Sequence, residues 1–473
     1  MAEYLIANAT VVTQNPDRDV IPEGAVATDD GEIIGVGPAQ AVREEVDAAE
    51  TIDASGHVVL PGFVDAHAHV SDILLRGYTR EDHTLFDWLH NVKNPGLMAM
   101  TTREHRIAAE LYCAEAMRAG VTTFVENALG GDWEGGMAAA KMDVYDRAGI
   151  RNVFARGILD EPARGEHGWL QAIKEGRHSE VEHPPLDVPP AADQLDATEA
   201  LIEEYHGSAG GRQSVWVAPA VVEGVSEKAL SGAARLAETH DVMTTTHVSE
   251  SPHQENRLLS SVEFLDDIGY LGERTLLGHC VHVTDRDVRL LADSGTRVTH
   301  NLMTNLRLGS GIAPLTQFRS RSIPVGIGTD NSTLSDTVDP LNDARMVALL
   351  HKGYQEDPGV ITAQDALDMI TIEAARAIRR GDTLGSIEPG KKADLVVLDA
   401  ARPRMTPSPN PVDAVVYGGG THAIDTVFCD GEPVVRGGSV ETLSEVGDGL
   451  LDAAETAAAG LVERTGIDTV RER

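Results

Sequence analysis

VVLPGFVDAHAH, residues 58–69, is the stretch whose reading decides the fold. An apolar run leads into Asp65, His67 and His69, so a buried strand ends in polar side chains. Residues two apart on a strand point the same way, which lets both imidazoles face one metal ion. Seven further runs repeat this texture: VTTFVEN (121–127), RNVFARGI (151–158), SVWVAPAV (214–221), VMTTTHV (242–248), TLLGHCV (275–281), TRVTHN (296–301) and IPVGIGTD (323–330). Amphipathic helical stretches lie between them, such as EHRIAAELYCAEAMRAG (104–120), SEKALSGAARLAETHD (226–241) and DRDVRLLADSG (285–295). Eight β-then-α units predict an α/β fold, a (β/α)8 TIM-type barrel. A doubly wound open sheet is the alternative, weakened because no glycine-rich phosphate fingerprint follows the first strand.

Both ends of the chain read differently. YLIANATVVT (4–13), GAVATDDGEIIGVG (24–37) and ETIDASGHVVLPG (50–62) are β-prone runs broken by turn residues. KKADLVVLDA (391–400), DAVVYGG (413–419) and IDTVFCDGEPVVRGG (424–438) repeat the pattern, so one small β-sandwich built from both termini is expected. The expected units are residues 1–58 and 384–440 for the sandwich, 59–383 for the barrel, and an Ala-rich helical tail over 441–473. HSEVEHPPLDVPPAADQLD (178–196) reads as a Pro-rich, acidic insertion loop.

A chain of 473 residues with 42% apolar composition has ample core for one large and one small domain. Acids number 75 and bases 39, a formal net charge of −36, and only seven of the bases are lysine. Such a surface repels nucleic acid, and a high-salt cytoplasm would screen its self-repulsion. No run approaches the length of a bilayer helix, and MAEYLIANATVV lacks the regions of a signal peptide, so a cytoplasmic protein with no membrane partner is expected. Cys113, Cys280 and Cys429 have no zinc-type or disulfide spacing.

Chemistry gathers at the carboxyl ends of the inferred barrel strands, where a barrel keeps its active site. His67 and His69 end the first run, His247 the fifth, His279 the sixth and Asp330 the eighth; Glu250 follows His247 by three residues, one helical turn. Three imidazoles and a carboxylate make a nitrogen/oxygen site for Zn²⁺ or Fe²⁺.

PGFVDAHAH (61–69), THVSESPHQE (246–255), LGHCVHVTDRDVRLLADSG (277–295), THNLMTNLRLGSGIAPL (299–315) and GIGTDNS (326–332) resemble the amidohydrolase superfamily. Within it they are similar to the aminohydrolase branch acting on purines, pyrimidines and triazines. LGSIEPGKKADLVVLD (384–399) looks like that family's return from barrel to sandwich. The resemblance implies one divalent metal, zinc or iron, on His67, His69, His247 and Asp330. It implies Glu250 as proton shuttle, and His279 beside the nucleophile or tetrahedral centre. The absence of lysine from VWVAPAVVEG (215–224) implies a mononuclear site. By the same resemblance Trp88 and Arg156 are candidate substrate contacts and a homo-oligomer is expected; His300, at the end of the seventh run, and Asn305, in the turn after it, are further candidates. Ala218-Pro219-Ala220 departs from a common Ala-Pro-His, which speaks against adenosine-like substrates.

The expected function is hydrolytic deamination of a small aromatic nitrogen heterocycle of purine, pyrimidine, pterin or triazine type. Water activated by the metal attacks the amino-bearing carbon, Asp330 takes its proton and Glu250 serves as acid. Two alternatives stand beside it: a triazine-type hydrolase displacing chloride or alkylamine, and an inactive barrel serving as an assembly scaffold.

Overall fold

Five strands open the chain: β1 (Ala2–Val12), β2 (Val20–Asp29), β3 (Glu32–Pro38), β4 (Ala48–Asp53) and β5 (His57–Pro61). Eight barrel strands follow: β6 (Phe63–Ala68), β7 (Val121–Ala128), β8 (Arg151–Ile158), β9 (Gln213–Pro219), β10 (Thr244–Val248), β11 (Thr275–His279), β12 (Arg297–His300) and β13 (Val325–Ile327). The chain returns to the terminal sheet through β14 (Leu395–Asp399), β15 (Ile424–Cys429), β16 (Glu432–Arg436) and β17 (Ser439–Val440). This computed structural model describes residues 2–129, 136–161, 188–252 and 259–467.

The eight barrel strands pair in parallel in sequence order from β6 to β13. Helices cover the outside, so β7 and β8 are buried along their whole length, as strands covered on both faces are. The ring closes at its carboxyl end through a parallel bridge between Ala68 and Asp330. There the His69 N–H donates to the Asp330 carbonyl (2.9 Å) and the Asp330 N–H to the His67 carbonyl (2.8 Å). The fold is the expected barrel with a separate sheet domain made from both termini.

The terminal strands form one nine-stranded mixed sheet among the described residues, with β5 paired to β1 on one side and β14 on the other. VVLPGFVDAHAH is therefore two strands: His57–Pro61 joins the terminal sheet and Phe63–Ala68 opens the barrel. Gly62 separates them where a Cβ would collide with the Thr122 side chain. The sheet curls until the Tyr4 ring meets Phe428 edge-on, centroids 5.5 Å apart, closing a core with Ile6, Val26, Ile33, Val59 and Leu395. Arg151, at the start of β8, ties barrel to sheet through Asp394 (3.1 Å) and Asp430 (3.0 Å).

Two local expectations change. Residues 413–419 are not a strand: Asn410 caps a short helix and Ala414–Gly418 continues it as a wide helical turn. The expected insertion loop lies outside the described residues over 178–187, and its last six residues begin the helix Ala191–Tyr205. The Ala-rich tail forms a helix, Ser444–Thr465, that docks on the body: Leu461 is fully buried and Arg464 pairs with Glu104 at 2.7 Å.

Candidate active site

His67, His69, His247, His279 and Asp330 converge at the carboxyl mouth of the barrel, with Glu250 beside them. His67 Nε2 and His69 Nε2 each lie 3.3 Å from Asp330 Oδ1, and His69 Nε2 lies 3.2 Å from His247 Nε2. His279 Nε2 is 3.9 Å from Asp330 Oδ2 and 3.7 Å from Glu250 Oε2. His67, His69, His279, Glu250 and Asp330 are buried, and His247 is half-buried at the cleft. The expected ligand set and the expected acid–base pair thus meet in one place.

Glu250 arrives differently from the sequence expectation. It is not a helical turn beyond His247; β10 ends at Val248 and Ser249 takes a left-handed φ of 46°, which swings Glu250 back. His279 (φ 68°), Cys280 (φ 47°) and Asp330 (φ 59°) are left-handed as well. Non-glycine residues pay in strain for that backbone, and such strain collects where a site demands a particular side-chain direction.

Neighbouring groups set the imidazole tautomers. The His69 Nδ1–H donates to the Asn127 carbonyl (2.9 Å) and the His247 Nδ1–H to the Ala220 carbonyl (2.5 Å). A carbonyl oxygen only accepts, so each neutral ring presents a bare lone pair at Nε2. Those two lone pairs face each other. Burial drives both rings well below the ordinary histidine range, with the Lys93 charge adding to it at His69 and the other site histidines at His247. Protonation therefore does not relieve the contact. His67 Nε2 is buried without a well-aligned hydrogen bond, and burial lowers its pKa although Asp330 opposes the shift. A shared cation resolves all three: ligand atoms 2.0–2.1 Å from a tetrahedral Zn²⁺ lie about 3.4 Å apart. The residues present fit a divalent metal.

The carboxyl groups are pushed apart. Burial raises Asp330, but His67, His279 and His69 outweigh it and hold the group well below the usual carboxylate range. Burial raises Glu250, with His279 pulling against it. One carboxylate is kept ionised and the other is biased toward its acid form, the arrangement that divides base and acid work.

A solvent-open cleft of about 1140 Å³ leads to this centre. Trp88 lines it and donates Nε1–H to Thr333 Oγ1 at 3.0 Å. The other three expected substrate contacts do not line the cleft. Arg156 shares strand parity with Asn152, whose amide meets Met142 on the covering helix, so Arg156 leaves the barrel on its outer side. His300 packs behind the site with its Nε2 3.2 Å from His351 Nε2. Asn305 accepts the Nδ1 proton of His279 at 2.9 Å. Asn305 therefore orients a site histidine. Glu126, on β7, faces outward to Lys141 and Tyr145.

Asn127 was not anticipated, yet its carbonyl holds His69 and its side-chain amide meets His67 Nδ1 at 2.9 Å. Its position at a barrel-strand end was the available signal. Lys93, a cleft-lining ammonium, was also missed, although lysine is scarce in this chain. Gly328 lets β13 reach the centre: a Cβ there would sit 2.6 Å from both Asn301 Oδ1 and the His67 Cβ.

Comparison with known proteins agrees with this construction. A profile described as the amidohydrolase family matches residues 58–434. The 5'-deoxyadenosine deaminase of Methanothermobacter thermautotrophicus is 31% identical over 462 residues, 96% of this chain and 99% of the relative. The 5-methylthioadenosine/S-adenosylhomocysteine deaminase of Symbiobacterium thermophilum is 33% identical over 424 residues, 88% of this chain and 90% of the relative. In fold, the chain is similar to an adenosine deaminase from Xanthomonas campestris with bound zinc, with a TM-score of 0.87, 24% identity, and coverage of 98% of this chain and 99% of that one. With the profile spanning most of its length and such relatives matching nearly all of it, this chain belongs to the amidohydrolase family.

Proposed function

We infer that the chain is a zinc-dependent hydrolase of carbon–nitrogen bonds that deaminates an aromatic nitrogen heterocycle and releases ammonia. The observation that carries this reading is the facing pair of bare Nε2 atoms on His69 and His247, beside an ionised Asp330 and within reach of a buried Glu250. Relatives named as deaminases support the reaction, and the zinc of the Xanthomonas structure supports the metal.

His67, His69, His247 and Asp330 would hold the metal, whose Lewis acidity makes water acidic enough to be a nucleophile at neutral pH. Asp330, held ionised, accepts a proton from the attacking water at its carboxylate. Glu250 in its acid form donates a proton to a ring nitrogen, which makes the amino-bearing carbon electrophilic. His279, whose Nδ1–H is fixed by Asn305, presents a bare Nε2 that accepts a hydrogen bond from the attacking water and so positions it. The carbon–oxygen bond forms, Asp330 passes the proton it took to the amino group, the carbon–nitrogen bond breaks as ammonia leaves, and the remaining hydroxyl proton returns to the Glu250 carboxylate. Leu85, Leu89 and Leu159 line the cleft and exclude competing water.

An ammonia-coupled screen of aminopurines, aminopyrimidines, pterins and triazines, run in concentrated KCl with Zn²⁺ or Fe²⁺, tests the reading. Bound metal with ammonia release supports it. Chloride or alkylamine as the only product would assign a triazine-type hydrolase, and a protein that binds no metal would overturn it. The accompanying expectation of a homo-oligomer rests on resemblance, and light scattering tests it; among the described residues no helix is long and apolar enough to cross a membrane.

A further inference from the structure

We propose that Lys93 is a specificity-determining residue that donates a hydrogen bond to an oxo group carried on the ring of the substrate. This rests on the deaminase reading and narrows it to aminated heterocycles that also bear a ring carbonyl. Lys93 closes a widened, π-helical turn, Leu89–Lys93, a form of helix that recurs at functional sites. Its side chain is 7% exposed, yet it lines the cleft. It is the only lysine or arginine among the described residues that do so.

The ammonium has three donors and no acceptor. Asp72 Oδ2 stands 3.3 Å away and is shared with the Asn331 amide. The Trp88 ring lies under Nζ at 5.0 Å and offers a π face rather than a lone pair. Donor capacity is left for the cleft, where the other charged lining groups, Glu223, Glu250 and Asp330, carry acid side chains. The charge acts close to the reaction. Lys93 lines the same cleft as His69, His247, Glu250 and Asp330, and its partner Asp72 also takes the amide of Asn331, the residue next to Asp330. With Nζ held by Asp72 and Trp88 on this side of the cleft, the oxygen assigned to it is one on the ring under attack rather than on a distant substituent. In a conjugated amino-oxo ring, attack at the amino-bearing carbon moves electron density onto the carbonyl oxygen. A fixed ammonium there stabilises the transition state more than the ground state.

Matched pairs test this: guanine against 2-aminopurine, and isocytosine against 2-aminopyrimidine. The wild-type protein is expected to favour the oxo member of each pair. K93M should lower kcat/KM for that member by about 10- to 100-fold and leave its partner within about threefold, while K93R recovers part of the loss. Melting temperatures accompany each variant, and K93Q replaces K93M if K93M melts near the assay temperature. Equal losses for both members of a pair, or a wild-type protein indifferent to the oxo group, would overturn the assignment. So would a K93M defect confined to S-adenosylhomocysteine and absent for methylthioadenosine, since that pair differs by a remote carboxylate. Ammonia release from other aminoheterocycles but from neither oxo compound would overturn the inference alone. Absence of ammonia release from every compound would overturn the deaminase reading as well.

Discussion

Asn305 Oδ1 accepts the Nδ1 proton of His279 at 2.9 Å, so a residue on one strand-end helix decides which nitrogen of a site histidine carries the hydrogen. Asn305→Leu removes that acceptor at similar volume. The expected result is a kcat lower by about 10- to 100-fold with metal content unchanged. Turnover and metal analysis on the same preparation check it, and undiminished turnover would remove the orienting role.

Glu250→Gln keeps the shape of the side chain and takes away its proton. The variant should bind metal as the parent does and lose about 10²- to 10⁴-fold in turnover. Near-parental rates would mean that the proton travels by another group.

Stripping the metal should lower the melting temperature as well as abolish activity, because His67 and His69 then face Asp330, and His69 faces His247, with nothing between them. Zn²⁺ restored at about 100 times its Kd should return about 2.7 kcal/mol of stability if the unfolded chain does not bind it. Calorimetric melts of stripped and reloaded protein measure this. Equal melting temperatures for the two would contradict it.

Gly328→Ala places a methyl group against His67 and Asn301, both fully buried. Overpacking of this kind costs about 1–3 kcal/mol, and here the displaced atoms include a ligand. Lower thermal stability together with weaker zinc binding is expected. A variant that melts and binds zinc like the parent would show that β13 can retreat.

The buried histidines away from the centre give a signed pH dependence. Burial holds His105 and His300 to about 3 and His351 to about 4, against about 6.5 in the unfolded chain. Between those values the unfolded chain binds protons that the fold cannot, so stability falls as pH drops from about 6.5 toward 4. Asp65 works the other way, because burial raises it to about 6 and the fold keeps its proton where the unfolded chain has lost it. Glu250, Asp339, Asp343 and Glu373 are raised by burial as Asp65 is, but nine histidines among the described residues are lowered, so the balance is a net loss on acidification. Melts of metal-free protein across this window test the sign, and His351→Gln should flatten the slope. A melting temperature that climbs on acidification would refute the assignment.

Much of the centre was readable because its residues sit at strand ends, where an apolar run stops at a polar side chain, as at His247 and Asp330. Arg156 shows what was not readable. RNVFARGI is buried on both faces, so no alternation marks which side chains point inward, and the phase came only from the Asn152–Met142 contact. Lys93 was hidden for another reason. The segment after β6 reaches the mouth through short helical turns with no period to read, and only its folded path brings Lys93 to the cleft. The split at Gly62 was equally invisible, since Val58–Leu60 and Phe63–Val64 are alike in composition and differ only in which sheet receives them.

The bridge from Ala68 to Asp330 is the last joint of the cylinder, and it is flanked by His67 and His69. The staves are thus clasped at the same rim where the chemistry takes place. A bound ion on these side chains would act as a rivet through the closing seam, so its grip should be felt as slower hydrogen exchange along β6 and β13. Any drift that removed those ligands would loosen the hoop along with the reaction.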